Sequence, residues 1–472
     1  MFERALSVAV VGHVNAGKTS LVRTLLRDGA FGRVHDLPGS TDTATPVTRK
    51  LVKAQSIQWI DTPGLSDPVA LMALIDALPA GSSTPERLRG FLRRPEAHAE
   101  FEPEAQALRA MLDADAVLYL VDAREAVLPK FHCELALMAL LAASGKPVLP
   151  VLNRAQAETH RVAAWSAAFT EHGFARTASL DALAPGAHGE ATLWASLARL
   201  FTARRPEALE VVAALDRETR ARRDAGLRLI AGHLLHLAAQ RHRLDKAELN
   251  DEARRQARML AVHRQLIADL DTAERGLLTA LGFPALAAPA DAQPGLRGRW
   301  ESDVLQPESL KIAAGKFGAG AAIGATLGLG VDVALMGGTL GAGAAAGAAA
   351  GAALGGAANQ ANAPLGRVVS NLVMGRKDVT IEDEVLTAQM GHLLALVRAL
   401  EGRGHADVSP LQALPVVRLG EALEKALLAK AGVARSHPAW ASPDELDAGD
   451  ARKRERALEE LAQLLVTHHR RT

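Results

Sequence analysis

Residues 12–19 read Gly12-His13-Val14-Asn15-Ala16-Gly17-Lys18-Thr19, directly behind the apolar run Ala5-Leu6-Ser7-Val8-Ala9-Val10-Val11. The octet has the spacing Gly-x-x-x-x-Gly-Lys-Thr, and the run before it suits a buried strand, so the stretch predicts strand, tight loop and helix in that order. Gly12 and Gly17 let the backbone close around a polyphosphate with its N–H groups pointing inward. A helix from Thr19 to Leu26 offers its positive end to the same anion. Lys18 is then placed to reach the β and γ phosphates and Thr19 to hold magnesium, with Asn15, Ala16 and Ser20 completing the cradle. An ordinary glycine-rich strand-to-helix turn would share this local sequence. The motifs downstream separate the two readings.

Ile57-Gln58-Trp59-Ile60-Asp61-Thr62-Pro63-Gly64 is a second strand that ends on a carboxylate followed by a glycine turn. Asp61 is placed to hold the water shell of magnesium, and the Gly64 N–H to sense a γ-phosphate. Between the two motifs lies Pro38-Gly39-Ser40-Thr41-Asp42-Thr43-Ala44-Thr45, where one threonine has to close over the metal. Thr41 is the first choice, with Thr43 and Thr45 behind it, and a plain polar turn-rich loop stands beside that reading. The expected catalytic set is therefore Lys18, Thr41 and Gly64, and the expected metal set Thr19, Thr41 and Asp61. The fold expected is an α/β P-loop domain, its mostly parallel sheet covered by helices on both faces, followed by an all-α C-terminal region.

These residues, Gly12 to Ser20, Pro38-Gly39-Ser40-Thr41 and Asp61-Thr62-Pro63-Gly64, together with the strand Val117-Leu118-Tyr119-Leu120-Val121-Asp122-Ala123, resemble the translation-factor class of GTPases. Within it the chain is similar to the Era and tRNA-modification GTPase branch over residues 1 to about 200. The length and a glycine-rich insert also look like a bacterial group that joins such a GTPase domain to a C-terminal helical domain of unknown function. The resemblance implies GTP as substrate, GDP as product and Mg2+ as cofactor.

Two departures from that pattern bear on function. The guanine-reading motif Asn-Lys-x-Asp is replaced by Asn153-Arg154-Ala155-Gln156. Gln156 lacks the carboxylate that accepts from guanine, so discrimination between bases should weaken. Asn153 reads equally as a base contact or as a strand-end cap, and Arg154 can stack its guanidinium on a base. The last base-contact loop, within Thr177-Ala178-Ser179-Leu180-Asp181, is too weak to assign. The second departure is Leu65, which stands where related proteins carry a glutamine that orients the attacking water. An apolar side chain cannot do this, which implies slow hydrolysis. Asn15 resembles the asparagine that binds K+ in the Era-related branch, and a turn-forming role accounts for it equally well.

With 472 residues the chain has material for two or three domains. Hydrophobic residues make up 49% and aromatic residues 3%, so its apolar content is mostly Ala, Leu and Val and favours helix. Fifty-four basic residues face 53 acidic ones, which gives no global electrostatic case for nucleic acid. The lone thiol, Cys133, excludes an intramolecular disulfide. The first strand begins almost at the N-terminus, and the expectation is a chain without a signal peptide, working in the cytoplasm.

The organisation expected is a nucleotide domain over 1–203, a helical region over 204–283, a linker over 284–311, a Gly/Ala-rich segment over 312–360 and a C-terminal helical domain over 361–472. Residues 66–112 are long for their place between two strands. They read as a segment that moves with nucleotide state or as an inert insertion. Leu227, Ile230, Leu234 and Leu237 mark one helix face. The arginines between Arg217 and Arg258 are matched by nearby acids such as Asp216 and Asp251, so a solvated face is the better reading than an RNA-binding stripe. His233 and His236 share a helix face, a spacing open to a metal, but no third ligand is evident.

Gly320, Gly324 and Gly328, then Gly343, Gly347, Gly351 and Gly355, repeat every four residues, and the stretch from Val333 to Ala358 is uncharged. Such a stripe permits close helix packing, and the length suffices for a bilayer crossing. Membrane association at the inner face, a soluble glycine-packed hairpin and a disordered tract all remain open, because Ala and Gly are weakly hydrophobic. Self-association through the helical region is a further expectation. Three functions fit: a slow Mg-dependent GTPase switch governing the helical part, a low-turnover nucleotide-binding regulator, and an RNA-associated GTPase by analogy.

Overall fold

The computed structural model describes residues 5–32, 43–51, 55–78, 83–157, 160–245, 248, 250–287, 378–407, 409, 411 and 419–469. The Thr41 loop and the Gly/Ala-rich segment 312–360 lie outside these residues, as does most of the expected linker. The chain divides into two compact units, Met1–Ala221 with Glu401–Ser409, and Arg222–Leu400 with Pro410–Thr472.

In the first unit the elements run β1 (Leu6–Val11), α1 (Lys18–Leu26), β2 (Thr45–Lys50), β3 (Ser56–Asp61), α2 (Pro68–Asp76), α3 (Thr84–Leu92), α4 (Glu96–Ala99), α5 (Glu102–Asp113), β4 (Ala116–Asp122), α6 (Pro129–Ala143), β5 (Val148–Asn153), α7 (Val162–Glu171), β6 (Ala178–Ser179) and α8 (Gly189–Ala198). The sheet order is β2-β3-β1-β4-β5-β6, parallel throughout except for β2, which pairs antiparallel with β3. β1, β4 and β5 are buried along their whole length, which is why they read as unbroken apolar runs; the edge strand β2 is mostly exposed. From β1 the chain steps to β3 on one side and then to β4 on the other. The order therefore reverses at β1, and the crevice at its carboxyl end is where α/β sheets of this kind take ligands.

One face of the sheet is covered by α2 to α7, with Leu71, Ile75, Leu88, Phe91, Leu108, Met111, Leu135 and Trp165 buried in one cluster. The described parts of the long stretch 66–112 are thus folded onto the core rather than laid over it. Ser83 and Glu86 form a capping box that starts α3, and Asp67 caps α2 by accepting from the Ala70 N–H at 2.9 Å. The other face is covered by α1, α8 and the start of the helix Arg205–Ala239, through Leu21, Leu25, Trp59, Trp194, Leu197 and Val211.

The second unit is helical. Helices Glu252–Ala280, Asp383–Gly402, Glu421–Gly432 and Ala448–His469, with the later part of Arg205–Ala239, enclose a separate core. Leu227, Ile230, Leu234 and Leu237 all lie buried in it, as their spacing requires. A two-stranded ribbon pairs Arg241–Arg243 with Asp378–Thr380. Among the described residues, no helix is long and apolar enough to cross a membrane.

Candidate nucleotide site

The phosphate loop joins β1 to α1 with a backbone only its own residues could follow. Gly12 has φ 155°, and a Cβ there would stand 2.1 Å from the Leu120 carbonyl oxygen. Gly17 has φ 95°, and a Cβ would meet the Asn153 amide at 2.4 Å. Asn15, exposed at the loop tip, takes the left-handed conformation at φ 66°, which asparagine tolerates better than most residues. Lys18 is buried and donates to the carbonyls of Gly12 at 3.1 Å and His13 at 2.9 Å. Desolvation lowers its ammonium to about 8, against the attraction of Asp61 and Glu134.

Asp61 closes the site from β3. Thr19 Oγ1 donates to its Oδ2 at 2.8 Å, and its other oxygen, Oδ1, is buried without a hydrogen-bond partner among the described residues. Burial raises the carboxyl, while Thr19, Lys18 and Arg23 pull it down. A hydroxyl and a carboxylate with one oxygen unspoken for form an oxygen donor set suited to a hard cation such as Mg2+, so Thr19 and Asp61 fit the metal expected of them. Gly64 lies against the phosphate loop, and a Cβ on it would clash with Val14 at 2.7 Å. The Leu65 N–H donates to the Gly12 carbonyl at 3.2 Å, while the Leu65 side chain is fully buried in the core under α2 to α7. The buried Glu104 of α5 accepts from the N–H groups of Ser66 and Asp67 at 2.8 and 3.1 Å, tying α5 to the turn after Gly64. Thr43 is exposed, and Thr45 opens β2 opposite Asp61.

On the base side, both ends of the buried Asn153 amide are committed to backbone. Its Nδ2 donates to the Ala16 carbonyl at 2.9 Å, and its Oδ1 accepts from the Ala182 N–H at 3.0 Å. Asn153 is thus a bridge between the phosphate loop and the loop after β6, which is more than a strand-end cap. Arg154, left-handed at φ 55°, donates to Asp122 at 2.6 Å, a carboxylate also gripped by Arg124. Gln156 is exposed. The segment Thr177 to Asp181, too weak to assign from sequence, leads directly to Ala182, whose N–H meets Asn153.

A buried group that the sequence did not single out stands behind the phosphate loop. Glu134 of α6 accepts from His13 Nδ1 at 2.9 Å through one oxygen and from the Tyr119 hydroxyl at 2.8 Å through the other. Lys130 Nζ lies 2.8 Å from His13 Nε2. Since a lysine ammonium only donates, His13 Nε2 accepts and Nδ1 carries the proton given to Glu134. His233 and His236, by contrast, are engaged structurally: His233 with Gln389 at 2.6 Å, His236 with the Ala441 carbonyl at 2.9 Å. Arg220 pairs with Asp216 and Arg254 with Asp251, as a solvated face would have it.

A family profile described as a domain of unknown function (DUF3482) matches residues 167–463, and one described as a 50S ribosome-binding GTPase matches residues 7–154. GTPase Der of Rhizobium meliloti is 29% identical over 153 residues, covering 32% of this chain and 26% of that protein. GTPase Der of Brucella suis is 32% identical over 151 residues, covering 32% and 25%. The chain spans about a quarter of the length of these curated relatives. Among solved structures, Era in complex with MgGDPNP and a segment of 16S ribosomal RNA is 19% identical with a TM-score of 0.27, covering 38% of this chain and 51% of that one. The bacterial dynamin GTPase LeoA from ETEC is 14% identical with a TM-score of 0.26, covering 98% and 79%.

Proposed function

We propose that this chain, which belongs to the family of the domain of unknown function DUF3482 and carries an Era-like P-loop GTPase domain ahead of that region, is a nucleotide switch that binds GTP and hydrolyses it slowly. The observation that carries the proposal is the buried Lys18 ammonium, held on the loop carbonyls of Gly12 and His13 beside Asp61. An incoming triphosphate adds far more negative charge than Asp61 and Glu134 supply, and the amine turns from the carbonyls to the β and γ oxygens. The N–H groups of residues 15 to 20 and the start of α1 take the remaining phosphate charge. Thr19 and Asp61 would hold magnesium, with Thr41 closing over it. Bound there, the ion neutralises charge on the β and γ oxygens. Gly64 would sense the γ-phosphate through its N–H.

Slow turnover follows from Leu65, whose side chain is in the core and offers the attacking water nothing. Asn15 is proposed to hold K+ at the loop tip as a substitute positive charge. The helical unit is proposed as the part governed by nucleotide state, with self-association or contact at the inner membrane face through residues 313–358 as its output. Single-turnover hydrolysis of GTP, ATP and XTP with Mg2+, in K+ and in Na+, tests the reading. GTP cleavage that is faster in K+ is expected. Binding without cleavage of any triphosphate would leave a low-turnover binding regulator.

A further inference from the structure

We propose that His132, Glu171 and His172 form a binding site for one first-row divalent cation, zinc foremost, where α6 meets the C-terminal end of α7. One ligand atom from each residue lies within 4.8 Å of the others, and the two imidazole rings are 5.2 Å apart between centroids. Donors on one tetrahedral zinc stand roughly 3.3 Å apart, given bonds of about 2.0–2.1 Å. Closing that gap takes rotation of the His132 and Glu171 side chains, both of which reach solvent, toward His172.

The helices are already fixed by what lies beneath. Phe131, next to His132, packs edge-on against Trp165 at 5.0 Å, and Trp165 against Phe169 at 5.8 Å; all three are buried. Trp165 is further anchored by its indole N–H, which donates to the Glu125 carbonyl at 3.0 Å. The backbone positions that carry the three ligands are therefore fixed by the core beneath them. His172 is also oriented: its Nδ1 lies 2.9 Å from the Ala168 carbonyl, an oxygen that can only accept. Nδ1 therefore carries the proton and Nε2 keeps the lone pair, the tautomer a metal needs, held by a backbone carbonyl as in known histidine–metal sites.

Two imidazoles and one carboxylate select zinc, nickel, cobalt or copper over magnesium, which prefers oxygen alone. The site is thus chemically distinct from Thr19 and Asp61. It is also distinct in place: Glu134, which holds His13, lies two residues on from His132, about 200° around the helix. Cys133 packs partly against the core and is not a member. The cation would cross-link α6 to α7 and leave coordination positions open to water or to a donor from another molecule.

The test uses the full chain saturated with Mg2+ and GDP, titrated with zinc chloride by calorimetry and, in parallel, with Co2+ followed by its visible absorption. One equivalent of zinc is expected, with a Co2+ spectrum of mixed nitrogen and oxygen ligation. His132→Ala combined with His172→Ala should lose the binding by at least ~100-fold, and Glu171→Gln should weaken it about 10-fold. GDP affinity should stay unchanged in both variants, which reports that they fold. Zinc uptake by the double variant equal to that of the native chain, or no uptake by the native chain, overturns the proposal. Loss in the double variant with no change in Glu171→Gln overturns the carboxylate as a ligand.

Discussion

Burial takes the Lys18 ammonium down to about 8, with Asp61 and Glu134 opposing. Without nucleotide, the amine is half neutral near that pH; against a triphosphate it must be fully charged. Binding should therefore take up a proton as the pH rises through 8, and affinity should fall about tenfold per pH unit above it. Calorimetry in two buffers of different ionisation enthalpy, at pH 7 and pH 9, measures the uptake directly. Lys18→Ala should abolish both tight binding and proton uptake, and unchanged affinity in that variant would remove the nucleotide reading. The same shift sets the sign for the empty protein: the charge is more costly folded than unfolded, so stability rises as pH climbs from about 8 toward the ordinary lysine value. Behind the loop, Glu134→Ala strands two donors, the buried Tyr119 hydroxyl and the half-buried His13 Nδ1. We expect a loss of about 2–4 kcal/mol in urea unfolding together with weaker nucleotide binding. A loss below about 1 kcal/mol would mean that both donors find other acceptors.

The turn after β3 shows why a residue's place in its segment outranks its place in a motif. Replacing Leu65 by glutamine should not speed hydrolysis, because the side chain points into the core under α2 to α7. Burying that amide should instead cost about 1–3 kcal/mol. A gain in the single-turnover rate would show that the turn can reverse the direction of this side chain. At the end of β5, Gln156→Asp supplies the charge that guanine N1 and N2 hydrogens can share, an interaction of order 1.5–3 kcal/mol. The ratio of GTP to XTP affinity should rise, and an unchanged ratio would exclude residues 153–156 as the base-reading loop. The phosphate loop was legible in the sequence because its backbone leaves no alternative to glycine at Gly12 and Gly17. Asn153 was only half legible, since its partners are backbone groups of Ala16 and Ala182, distant in sequence and without a signature of their own. Glu134, Tyr119 and Lys130 gave no signal for the same reason: the chain folds them around His13 from more than a hundred residues away. The stretch 66–112 reads from sequence as either a moving segment or an insertion because its apolar residues sit on short helices, whose periodicity is hard to read before the face they cover is known.

For the nucleotide to act as a switch, its state has to be felt beyond the sheet, and the first unit contains a continuous set of contacts that could carry it. Ala16 of the phosphate loop accepts from Asn153, Asn153 accepts from the Ala182 N–H, and the Ala182 carbonyl accepts from Thr24 Oγ1 at 2.6 Å. Residues after the helix Asp383–Gly402 join the same cluster, the Gly404 N–H donating to the Leu183 carbonyl at 2.7 Å and the Ala406 N–H to Thr24 Oγ1 at 3.2 Å. Glycine is required at that junction: a Cβ on Gly404 would stand 2.2 Å from the Ala182 carbonyl oxygen. Spatial continuity alone does not establish coupling, so the measurement has to read the helical core itself. We predict that hydrogen exchange in residues 383–400, whose Leu386, Leu393 and Val397 are buried in the helical core, differs between the Mg·GDP form and a form with a non-hydrolysable GTP analogue. The change in protection should lie in the range of about 5–150-fold, the span of a coupling free energy of about 1–3 kcal/mol. Gly404→Val should reduce that difference. Exchange differences confined to residues 5–200 in the native chain would mean that the helical unit does not sense the nucleotide, and the chain would then be a binding module joined to an independent bundle.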